Sequence, residues 1–204
     1  MERLVKTFKK FDATATGAIN TFREVTKKLH DEYDNSKAFE QQYGEAKNVY
    51  DETMATAKQA ALQEIKVIFA DLNEKVKNFV QQPAPADYVA TLEAIKAMSD
   101  NITEREAEMF FDKFRSNYIA SRSISNYLHN LKGYLLPIPT YDRIKANLES
   151  LELQAGDFIR NYKAGSYAAA LFTTDKNNPW QAEGEKLKNF LNGDVAAIAE
   201  RPEE

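Results

Sequence analysis

Residues 39–79, FEQQYGEAKNVYDETMATAKQAALQEIKVIFADLNEKVKNF, decide how the rest of the chain is read. Apolar or small side chains recur at Phe39, Tyr43, Ala46, Tyr50, Met54, Ala57, Ala61, Ile65, Ile68, Leu72, Val76 and Phe79. Eleven steps over 40 residues give a mean spacing of about 3.64. That lies close to the 3.6 residues of a straight α-helix and above the 3.5 of a left-handed coiled coil. Gly44 costs about 1 kcal/mol relative to Ala without breaking such a helix. An unbroken helix over residues 38–80 would span roughly 65 Å at 1.5 Å per residue. A sphere holding the whole chain would be only about 43 Å across. The spacing therefore predicts an elongated molecule, with the apolar row buried against a hairpin partner or a second copy.

Working outward, Gln81-Gln82-Pro83-Ala84-Pro85 ends this helix, because proline lacks an amide donor and restricts the residue before it. Upstream, Leu4, Val5, Phe8 and Phe11 mark a short amphipathic helix over residues 2–11. Asp12 to Gly17 read as a turn, and Thr21 with Glu24 as a capping box opening a second helix. A change of apolar phase places a break near Asp34-Asn35-Ser36.

Downstream, a helix is expected from Ala86 or Asp87, stopped at Ser99-Asp100-Asn101. Another is opened by the Thr103/Glu106 capping box and closed at Gly133, with a potential interruption at Ser121–Ser125. Leu135-Leu136-Pro137-Ile138-Pro139 reads as an extended crossover. Thr140 caps the next helix, ending near Gly165; an Ala-rich turn over Tyr167 to Phe172 and a helix from Asn178-Pro179 to Gly193 follow.

No segment alternates with period two, and seven Gly plus six Pro make about 6.4% of 204 residues, half the usual ~12%. The fold class expected is all-α: a long N-terminal amphipathic helix or helical hairpin (1–82) and a smaller C-terminal helical bundle (86–200). Packing of the two into one domain is left open.

Absent residue types restrict the chemistry. There is no cysteine, so disulfides and thiolate metal sites are excluded. Of two histidines, neither follows a Glu at the Glu-x-x-His spacing of di-iron bundles: Lys27 precedes His30 and Asn126 precedes His129. Phe8 to Ile19 resembles the start of an EF-hand, with Asp12 at loop position 1 and Gly17 at 6. Thr14 and Thr16 stand where Asp or Asn should, and Arg23 where the bidentate Glu should. No P-loop, GxGxxG or GxSxG is present. Neither metal nor cofactor is expected.

Net charge is −4, with +4 over residues 1–28 and −8 over residues 29–108. Such mild alternation does not make a nucleic-acid funnel. No apolar run reaches the ~18 residues of a membrane span. MERLVKTFKKF is unlike a signal peptide, so the cytoplasm is the expected location.

The composition, Cys-free and rich in Lys, Glu, Asn and Tyr, is similar to that of many small accessory proteins of Gram-positive bacteria and their phages. The function expected is non-enzymatic assembly or protein interaction, through self-association or another protein. Tyr50, Met54, Ile65, Ile68, Leu72, Val76 and Phe79 are the helix-pairing candidates. A nucleic-acid or anionic-surface module using Arg3, Lys6, Lys9 and Lys10, or the Arg/Tyr-rich helices of residues 109–164, is the alternative. A ligand-binding or catalytic bundle is the third reading.

Overall fold

The computed structural model describes residues 2–33, 37–162 and 179–199. Among these the fold is all-α, with seven α-helices and no strand. They are α1 (Glu2–Glu32), α2 (Lys37–Val80), α3 (Tyr88–Met98), α4 (Glu104–Lys113), α5 (Tyr118–Lys132), α6 (Tyr141–Arg160) and α7 (Pro179–Leu191), with 3₁₀ turns at Ser99–Asn101 and Val195–Ile198. The expected long helix is present as one element of 44 residues, about 66 Å by its rise. The expected break at Asp34-Asn35-Ser36, the Tyr167–Phe172 turn, the Asn178 cap and the Trp180 side chain lie outside the described residues.

Two compact units form: Met1–Phe69 with Ser150–Trp180, and Ala70–Glu149 with Gln181–Glu204. They do not divide at Pro83-Pro85, because α2 and α6 each contribute one end to each unit.

In the first unit the turn expected at Asp12–Gly17 is absent, and α1 runs unbroken for 31 residues. Leu4, Phe8, Phe11, Ala15, Ile19 and Leu29 hold one buried stripe through it. Burying Phe8 or Phe11 contributes about 1.5–3 kcal/mol each, against a cost of about 1 kcal/mol for Gly17 and several tenths for each threonine. The threonines are absorbed locally: the Thr14 hydroxyl donates to Lys10 O at 3.0 Å, as Thr7 does to Arg3 O at 3.0 Å. The Thr21/Glu24 capping box thus has no helix start to cap. Nor is there a calcium loop, since its positions are helical. The far end of α6 completes the unit: Phe8 meets Phe158 edge-on at 5.0 Å, and Phe11 meets Tyr162 at 4.9 Å.

The second unit gathers the α2 C-terminus, α3–α5, the start of α6 and α7 around Phe114, Ile95, Ile124, Leu128 and Phe190. Phe190 is fully buried, with Phe79 at 4.7 Å and Tyr118 at 6.2 Å edge-on to its ring. The Thr103/Glu106 capping box forms as expected, and Gly133 ends α5 at φ 70°. The expected helix from Thr103 to Leu131 breaks at residues 114–117, upstream of Ser121–Ser125. Asn117 Oδ1 accepts from Ala120 N at 3.0 Å to start α5, while its Nδ2 donates to Pro83 O at 2.9 Å. Ser121 and Ser125 are buried within α5, their hydroxyls donating to Phe114 O and Leu136 O.

The crossover packs as expected, and its backbone polar groups are taken up by α5. Tyr118 donates to Pro139 O at 2.8 Å, Asn126 Oδ1 accepts from Ile138 N at 2.9 Å, and His129 Nδ1 donates to Leu135 O at 2.6 Å. Thr140 Oγ1 accepts from Arg143 N at 3.2 Å, the cap expected for α6.

Candidate functional site: a groove between the first two helices

Within the first unit α1 and α2 run antiparallel, with Arg3 opposite Glu64, Phe22 opposite Tyr43 and Tyr50, and His30 opposite Phe39. Large rings occupy one side of this pair: Phe22 stacks on Tyr50 at 5.1 Å and contacts Tyr43 at 5.7 Å. Small residues stand on the other side, Ala13, Gly17 and Ala18 from α1 and Ala38 and Ala46 from α2. Aromatic width beside missing side-chain volume leaves an open groove of about 850 Å³.

Its floor is apolar, from Phe22, Val25, Leu29 and Tyr50, and Val49 on its wall is 64% exposed. The polar groups present are neutral except one: Thr14, Thr21, Gln41, Gln42, Thr53 and the carboxylate of Glu45. Gln41 donates to Glu45 at 3.1 Å, and Gln42 donates to the Tyr33 hydroxyl at 3.3 Å. A single carboxylate beside amides and hydroxyls offers no matched acid and base. Among the described residues no three His, Cys, Asp or Glu converge as metal ligands would. The groove is suited to recognition by shape and apolar contact.

The helix-pairing candidates divide along α2. Ile65, Ile68, Val76 and Phe79 are buried by the chain itself, at 1%, 3%, 1% and 8% exposure, so their surface is already used. Tyr50, Met54 and Leu72 are half-buried, and of the seven only Tyr50 lines the groove. Phe22, Val25 and Val49 were missed. Their signal lies in a second, exposed row on each helix, offset from the apolar stripe.

Of the N-terminal cations, Arg3 Nε pairs with Glu64 at 2.7 Å, while Lys6, Lys9 and Lys10 are exposed. Several of the later Arg and Tyr side chains have partners within the chain. Arg115 meets Asp194 at 2.9 Å and Arg160 meets Asp157 at 2.8 Å. Tyr162 donates to Asp12, and Tyr118 to Pro139 O. Burial pushes the Tyr118 phenol above its ordinary range. Comparison with protein families, with curated proteins and with solved structures finds no match to this chain.

Proposed function

We propose that this chain is a non-enzymatic protein-interaction component that works by docking a helical partner on the exposed side of its α1–α2 hairpin. The observation that carries the reading is the groove itself: an apolar floor walled by small side chains, with Val49 64% exposed beside it. A helical hairpin with one face packed on α6 and the other left apolar and open has the form of a helix-in-groove site. A volume of about 850 Å³ also falls within the range of small-molecule sites. The groove is open along its length and has no convergent charged groups, which favours a polypeptide occupant.

The absence of cysteine allows a direct test. A photo-crosslinking residue placed at Val49 should yield a covalent protein adduct in the native cells. The same group at Met109, which is 65% exposed in the second unit, should yield none. Failure of Val49 to crosslink to any polypeptide would remove the reading.

A further inference from the structure

We propose that the groove is closed by the same groove of a second copy, with a twofold axis running along the hairpin so that α1 of each copy lies over α2 of the other. The inference rests on the interaction reading above and names its partner.

Each wall of the groove carries a row with 3.5-residue spacing. On α1 the row is Lys10, Thr14, Gly17, Thr21, Glu24 and Lys28; on α2 it is Ala38, Gln42, Glu45, Val49, Glu52 and Thr56. All twelve residues are exposed. Each row covers 18 residues, about 27 Å of helix. A 3.5 period is what a neighbouring helix meets along a left-handed seam, whereas the 3.64 row of α2 turns into the chain's own core. Gly17 shows how close that neighbour comes. A Cβ built there meets nothing within 4 Å, so packing inside the chain does not call for glycine, and the helix bears its propensity cost uncompensated. A second backbone passing over Gly17 supplies the missing reason.

Charge selects the occupant. The α1 row has two lysines and one acid, and the α2 row has two carboxylates and no cation. Lys10, Lys28, Glu45 and Glu52 form no ion pair among the described residues. An isologous contact must be self-complementary. This pair of edges is so when α1 faces α2 of the partner, and like charges would meet if α1 faced α1. Both halves of the electrostatic match are thus present on one chain.

The test is a charge exchange read by sedimentation and light scattering on the full chain. The wild type should form a dimer of about 46 kDa, twice 23.2 kDa. Glu45→Lys with Glu52→Lys should weaken it at least tenfold, as should Lys10→Glu with Lys28→Glu, through like-charge contact. Mixing the two variants should restore a dimer, since each edge again meets its opposite. Gly17→Leu should give a monomer of unchanged helicity. A wild type that stays monomeric at about 100 μM overturns the proposal, as does a dimer indifferent to all these changes. Crosslinks from Val49 to a different polypeptide would also overturn it while leaving the interaction reading intact; no crosslink would end both.

Discussion

The Tyr162 hydroxyl donates to Asp12 Oδ1 at 2.6 Å, across 150 residues of chain. Asp12 is the residue whose place in the sequence suggests the first ligand of a calcium loop. In the fold its carboxylate instead tethers the segment after α6 to the middle of α1, beside the Phe11–Tyr162 ring contact at 4.9 Å.

Tyr162→Phe should keep that ring contact and lose the hydrogen bond, lowering stability by about 1–2 kcal/mol in urea unfolding at neutral pH. Burial and the bond to Asp12 hold the Tyr162 phenol above its ordinary value of 10.0. The folded state therefore retains this proton more tightly than the unfolded chain does. Its contribution is complete below pH 10 and is lost as pH rises through the folded value. The wild type should lose stability more steeply than Tyr162→Phe above pH 10; parallel profiles would contradict the contact.

Asn117 is 7% exposed and serves two elements at once, capping α5 and holding the Pro83 carbonyl. Asn117→Ala should cost about 2 kcal/mol, combining a lost cap with a carbonyl left without its donor. Asn117→Asp should recover the cap alone and fall between the two by chemical denaturation.

Phe190 should be the most sensitive position of α7. Its ring is fully buried, with Phe79 and Tyr118 edge-on to it. Phe190→Ala should cost about 3–5 kcal/mol. It should raise amide exchange throughout α7 before exchange in α1 changes.

Gly44 lies inside α2, and a Cβ there meets nothing within 4 Å. Gly44→Ala should stabilise the protein by up to about 1 kcal/mol through helix propensity. Calorimetry should show a raised Tm, and a lowered one would mean that this part of α2 is bent or covered in solution.

Much of the secondary structure is legible in the sequence because its signals are local. The capping box at Thr103 and Glu106, the Thr140 cap and the left-handed Gly133 each act within one turn of helix. The same local reading fails at Asp12–Gly17, where threonines and a glycine mimic a turn. Phe8, Phe11, Ala15 and Ile19 keep that segment helical by burial that no short window reveals. It fails again at Asn117, whose second partner is a carbonyl 34 residues away. The groove was only half visible: Tyr50 belongs to the apolar row, but Phe22, Val25 and Val49 become a site only when α1 returns alongside α2.

Periodicity and capping chemistry, carried by neighbours along the chain, by themselves determined an all-α protein with a 44-residue helix. Which part of that helix is covered was decided by the tertiary structure alone. Burial is a relation between distant segments: Ile65, Ile68, Val76 and Phe79 find partners within the chain, and Val49, on the same helix, does not.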